Sequence, residues 1–297
     1  MAPMSDKKKA IIFIICSAFF FALMNMFVRM SGDLPSVQKS FFRNFVAFFF
    51  ALIILIRSKD GFSFQKKNLP VFIARAGFGT LGILCNFYAV DHLLLSDASI
   101  LNKLSPFFAI VCSYFILKEK IKPVQAAAVA VAFCGALLVV KPGFSVASAL
   151  IPSLIGVAGG FCAGIAYTYV RVLGQRGERG PFIVLFFSAF SCIVTLPFLI
   201  FDFHPMSAAQ VITLLLAGLS AAGGQFTITA AYTHAPAREV SVFDYTQIVF
   251  AAGLGFFFFG QIPDLFSILG YIIISGVAVA MFLYNILPGK RPPQSSK

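Results

Sequence analysis

The 297 residues are 59% hydrophobic and 11% charged, with a mean hydropathy of +0.92, which leaves too little polar surface to cover a soluble globule. The chain must use lipid as part of its solvent. Its net charge of +12 sits in short basic clusters between apolar segments, the pattern of topology signals rather than of a nucleic-acid-binding face.

In chain order, the first apolar run follows Lys7, Lys8 and Lys9 and extends to about Met30 without a small-x-small cleavage site. It is expected to be a retained first helix, not a signal peptide. Further apolar spans fall at about 37–56, 70–90, 97–117 and 124–140, then 151–173, 182–201, 207–232, 240–260 and 265–287. Each is long enough to cross a hydrocarbon core of about 30 Å as a helix. Period-two alternation, the mark of a membrane barrel, is absent. The links, such as 57–67 and 174–180, are short and polar and leave no room for a separate soluble domain. After Pro288 the tail, 288–297, is expected to be disordered and cytoplasmic. Cys16, Cys85, Cys112, Cys134, Cys162 and Cys192 all lie in apolar segments with no CxxC pair, so they read as small packing residues, and no metal or cofactor is expected.

Charge sets the expected orientation. With the N-terminus inside, about 18 of the 23 basic residues lie on the inner side, leaving Arg29, Lys39, Arg43, Lys103 and Lys141 toward the outside. Both termini are therefore expected in the cytoplasm, in a multi-pass protein of the plasma or inner membrane.

The chain also repeats itself. A shift of about 142 residues places Val28 and Arg29 on Val170 and Arg171, His92 on His234, Ser99 on Ser241, Phe108 and Ala109 on Phe250 and Ala251, and Phe115 on Phe257. Two repeats follow, 1–146 and 147–287. Five helices per repeat, an odd number, send the second copy through the membrane in the opposite direction. The expected fold is all-α, ten transmembrane helices as two inverted five-helix repeats, a layout suited to alternating access.

Two segments resemble a known family. Ser96 to Ile121, with small residues at its entry, Pro106 within it and Glu119 at its end, is similar to the fourth helix of the EamA branch of the drug/metabolite transporter superfamily. The run 125–141, with Gly135, resembles the fifth. In the second half, Arg238 to Ile262 takes the same place but has Ile248 for the proline and Gln261 for the glutamate, so a straighter ninth helix is expected. The resemblance implies a central cavity lined mainly by the first, third and fourth helices of each half. Family members move amino acids, nucleotide-derived metabolites, sugars and drugs, often outward, so the resemblance does not name the substrate.

Polar residues at lipid depth are costly and mark candidate sites. Ala18, Ala22, Asn25 and Arg29 share one face of the first helix, and Gly160, Gly164, Tyr167 and Arg171 share the same face of the sixth. Such faces either wall a cavity or let helices pack closely. Asn86 on the third helix and Gln225 and Tyr232 on the eighth repeat the pattern. Each amide either orients a substrate or ties neighbouring helices. Lys103 and Asp244 lie about two turns into their helices, where the repeat aligns them with Tyr245 and Asn102; Gln247 shares the region. The two charges either engage opposite ends of a zwitterion, with Asp244 as a site for a coupled proton, or snorkel to water from opposite surfaces. Pro106 is expected to kink its helix and free a carbonyl. His92 and His234 are equivalent loop residues read as caps, and His204 has no assigned role.

With no HExxH, no GxSxG and no facing aspartates, an intramembrane enzyme is disfavoured, and the inverted repeat favours a carrier over a channel. The expected function is transport of a small metabolite, foremost amino acids or amino-acid-like compounds, with a multidrug, sugar or nucleotide-derived-metabolite carrier as the alternative.

Overall fold

The computed structural model describes residues 6–58, 62–118, 122–140, 147–234 and 241–286. Among them the regular elements are α1 (Asp6–Met30), α2 (Ser36–Arg57), α3 (Leu69–His92), α4 (Leu95–Asn102), α5 (Ser105–Ile116), α6 (Pro123–Val140), α7 (Ala147–Gln175), α8 (Gly180–Phe201), α9 (Ala208–His234), α10 (Thr246–Phe259) and α11 (Leu265–Ile286). Short 3₁₀ turns occupy Lys66–Asn68 and Ser241–Tyr245. Nine described spans are long and apolar enough to cross a membrane, with α4 and α5 counted as one, and a tenth, Phe243–Phe259, is shorter. The tail 288–297, Glu119, Lys141 and Arg238 lie outside the described residues.

Local chemistry sets several boundaries. Proline occupies the first turn of α3, α5 and α8, where a missing N–H leaves no helix bond unmade. α10 stops at Gly260, whose φ of 61° is left-handed and whose N–H returns to Phe256 O at 3.0 Å. The outer walls are apolar: Phe115, Ile193 and Phe257 are more than two-thirds exposed. Polar groups turn inward and tie helices together. Ser17 Oγ donates to Gly224 O at 2.9 Å, and Asn44 Nδ2 donates to Ser191 Oγ at 2.9 Å. Without an aqueous hydrophobic drive between helices, such bonds and close packing hold the bundle.

The packing partners obey the repeat. α1 packs on α9 and α3 on α7; α2 packs on α8, α6 on α11 and α4 on α10. Exchanging the halves turns α1–α9 into α7–α3 and maps each of the other three pairs onto itself. Even the secondary contacts follow, with α5–α7 matched by α10–α1. One buried apolar cluster, containing Val28, Leu101, Ala132, Ala217, Ile248 and Ile274, spans both halves.

The fourth span breaks at Lys103 and Leu104, just before Pro106. Phe107 N bonds to Leu104 O rather than to Lys103 O, so the Lys103 carbonyl is released from the helix. Tyr245 Oη donates to it at 3.1 Å. The ninth span is not the straighter one expected from its lack of proline: it opens with the 3₁₀ turn Ser241–Tyr245 before α10 begins. The tyrosine that caps the broken fourth span ends that turn.

Candidate functional site

α7 brings the broken fourth span close to the bundle centre because it carries glycine where the two cross. A Cβ on Gly160 would sit 2.6 Å from Leu101 O, and one on Gly164 would sit 2.6 Å from Phe108 Cβ and 2.8 Å from Ser105 O. These glycines therefore serve close packing at the break, while Tyr167, one turn on, reaches a cavity. α1 offers its own buried small residues, Ala18 and Ala22.

At the centre is a cavity of about 140 Å³. Eight residues expected at a site meet there: Asn25, Asn86, Asn102, Lys103, Tyr167, Gln225, Asp244 and Gln247. Asn86 Nδ2 donates to Asn25 Oδ1 at 3.2 Å, joining α3 to α1. Lys103 Nζ and Asp244 Oδ2 form a direct ion pair, so the two charges do not snorkel apart to opposite surfaces. The helix break that carries Lys103 and the 3₁₀ turn that carries Asp244 meet at the centre. Tyr245 is buried and bonds Lys103 O instead of lining the cavity. Tyr232 lies in α9, but its side chain is outside the described residues.

Two charged cavity residues are not among those expected at a site. Counting basic residues by side treats Arg43 and Arg75 as surface topology charges, yet they are only 7% and 9% exposed and both line this cavity. Their guanidinium carbons lie 6.0 Å and 4.0 Å from the centroid of one ring, Phe187. Gly79 leaves the room: a Cβ there would collide with Arg75 Nη1 and stand 2.9 Å from Phe187 Cε2. Arg43 Nη1 donates to Asn44 Oδ1 at 2.6 Å. Among the described residues neither arginine has a carboxylate within ion-pair reach. Position is the available signal, since both arginines stand more than a turn inside apolar spans, at the seventh residue of 37–56 and the sixth of 70–90.

The cavity also holds unsatisfied polar atoms. Arg43 Nε and Arg75 Nε are buried donors without partners, and Asn86 Oδ1 and Asp244 Oδ1 are buried acceptors without partners. An unpaired buried polar atom costs about 1–3 kcal/mol and more when charged, so four on residues lining one cavity leave hydrogen-bonding capacity that a polar ligand can answer.

The two ends of the bundle differ. At the far end, opposite the start of α1, Lys39 is fully buried and pairs with Asp91 at 2.6 Å. Arg29 Nη1 donates to Val90 O at 2.9 Å and also to Leu93 O, and its guanidinium covers Phe259 at 5.2 Å. Gln38 exchanges two bonds with the His204 backbone, at 2.9 and 3.1 Å. Toward the near end, a larger cavity of about 490 Å³ shares Arg43, Arg75, Tyr167 and Phe187 with the central one and runs along apolar Ile54 and Val184 to Gly180 and Pro181. One flank of that end is tied by Glu178 Oε1, which accepts from Gln65 N at 3.0 Å and Asn68 Nδ2 at 2.6 Å.

Comparison with known proteins agrees with this architecture. The sequence profile of the EamA-like transporter family matches residues 8–141 and again 150–283, once per half. The chain belongs to the EamA-like transporter family. It is 33% identical over 276 residues to the pseudopaline exporter CntI of Pseudomonas aeruginosa, covering 92% of this chain and 96% of that protein. It is 26% identical over 296 residues to solute carrier family 35 member G1 of Homo sapiens, covering 93% and 81%. A riboflavin transporter of Brucella anthropi is 25% identical over 277 residues, covering 89% and 94%. A solved crystal structure superposes with a TM-score of 0.66 over 94% of this chain and 98% of that one at 15% identity, a likeness of fold alone. This protein is thus a multi-pass membrane transporter for a small molecule.

Proposed function

We propose that this transporter is a secondary carrier that exports a compact, amino-acid-like metabolite by alternating access, its repeats 1–146 and 147–287 rocking about the central cavity. One observation carries the reading: residues lining the cavity carry two buried, unpartnered guanidinium donors, Arg43 Nε and Arg75 Nε, and two buried, unpartnered acceptors, Asn86 Oδ1 and Asp244 Oδ1. A carboxylate answers the first pair and an ammonium the second. A purely apolar solute satisfies neither.

The basic-residue asymmetry supports a cytoplasmic near end, and the cavity that reaches that end is then the loading route for a cytoplasmic solute. Asp244 is the group on which a coupled proton would sit, releasing Lys103 when it binds. The similarity to a pseudopaline exporter is in keeping with outward movement. The apolar walls of the 490 Å³ cavity favour a second reading, a carrier of bulkier hydrophobic compounds.

Uptake and counterflow of labelled amino acids in proteoliposomes test the proposal. Asp244→Asn is expected to cut amino-acid flux at least tenfold, whereas Lys66→Gln, at an exposed lysine outside the cavity, stays within twofold of the parent. Collapsing an imposed pH gradient with an ionophore should slow the parent and leave Asp244→Asn unaffected. If Asp244→Asn carries amino acids at the parent rate while a hydrophobic dye competes fully, the multidrug reading replaces this one.

A further inference from the structure

The central cavity has a charge imbalance that an ordinary zwitterion does not correct. Lys103 and Asp244 neutralise each other within it. Arg43 and Arg75 remain, both buried and without a carboxylate within ion-pair reach among the described residues. A guanidinium stays protonated under all ordinary conditions, so the cavity carries two excess positive charges at membrane depth, where uncompensated charge is strongly disfavoured. A zwitterion adds no net charge and leaves both.

The orientation of the two side chains suits anions. Each guanidinium lies over the Phe187 ring, at 6.0 and 4.0 Å to the centroid, which places the two carbons within about 10 Å of each other. At 4.0 Å the Arg75 guanidinium is in contact with the ring, a contact that satisfies none of its N–H groups. Nε on both arginines is buried without a partner, and the edge formed by Nε and one Nη is a fork that binds a carboxylate through two parallel bonds once a solute reaches it. Gly79 holds open the space in which Arg75 takes this pose. Two forks on one wall, with the acceptors Asn86 Oδ1 and Asp244 Oδ1 also lining the cavity, match a solute with one amine and two carboxylates.

We infer that Arg43 and Arg75 form a paired anion subsite selecting amino compounds with more carboxylates than amines over neutral amino acids. The inference rests on the carrier reading above and narrows its substrate class. One arginine receives the carboxylate that every amino acid has, and the second receives the additional one.

Purified protein in detergent and in proteoliposomes provides the test, with L-glutamate, L-alanine and inorganic phosphate as probes. Glutamate is expected to raise the melting temperature more than alanine, and its KM for transport to be at least tenfold lower. Arg43→Gln or Arg75→Gln each brings the two KM values within about twofold of one another, while Arg75→Lys, which keeps the charge but loses the fork, falls between. The ligand-free variants should melt no lower than the parent, because each loses an uncompensated buried cation. Equal KM values for glutamate and alanine in the parent overturn the inference and leave the carrier reading standing. A parent that carries neither amino acid overturns the carrier reading itself. Stabilisation by phosphate but not by glutamate overturns the carboxylate assignment, and a KM ratio that survives both glutamine variants removes the arginines from the site.

Discussion

The two ends of the bundle are built from different chemistry although the halves repeat each other. The far end is closed by charge: fully buried Lys39 on Asp91, Arg29 across the end of α3, and Gln38 paired with the His204 backbone. Toward the near end, the described residues line the larger cavity with apolar walls at Ile54, Val184 and Pro181, with polar ties on one flank through Glu178. Parting apolar walls costs only the wetting of their surface, about 25 cal/mol per Å², whereas breaking a buried ion pair leaves a charge uncompensated in a low dielectric. Among the described residues, specific bonds therefore hold one end while the larger cavity extends toward the other, an asymmetry that the proposed carrier cycle requires.

Breaking the seal should have the largest effect. Asp91→Ala leaves Lys39 buried and unpaired, which costs roughly 3–5 kcal/mol. Thermal melting in detergent should show a deep loss, and the double variant Lys39→Met with Asp91→Leu should recover most of it. A smaller effect is expected at the near-end flank. Glu178→Ala removes the acceptor of two hydrogen bonds but leaves no buried charge unpaired, and its melting temperature should fall less than that of Asp91→Ala. The smallest change belongs to the helix break between the ends: Tyr245→Phe frees the Lys103 carbonyl at a cost of about 1 kcal/mol. Its melting temperature should barely move while flux falls, because the bond supports the broken span and not the bundle as a whole.

The scaffold is legible in the sequence because the thickness of a bilayer imposes one length on every span and lipid leaves no polar outer face. The shift that aligns Asn102 with Asp244 and Lys103 with Tyr245 anticipates which broken segments meet, since both sets touch through the Lys103–Asp244 pair and the Tyr245 to Lys103 bond. Asn25, Asn86, Tyr167 and Gln225 are visible as polar groups on otherwise small or apolar faces. Arg43 and Arg75 are not, because counting basic residues by side assigns every arginine to a surface and ignores its depth. The 3₁₀ opening of the ninth span carries no proline to announce it. Its last residue, Tyr245, bonds a carbonyl that is free only because a different helix is broken, so its structure depends on a contact 142 residues away in sequence. Glu178 is hidden for the same reason: its partners Gln65 and Asn68 are more than a hundred residues distant.

A carrier opens its one cavity to a single side at a time. Ala222 lies midway along α9 and lines the larger cavity, so a cysteine at that position, in a background with the six native cysteines replaced, reports access directly. In oriented membrane vesicles, a membrane-impermeant thiol reagent is expected to label Ala222→Cys from the side carrying the start of α1 and not from the other, with labelling slowed by a transported amino acid. Equal labelling from both sides at once would mean a continuous pore and contradict the carrier.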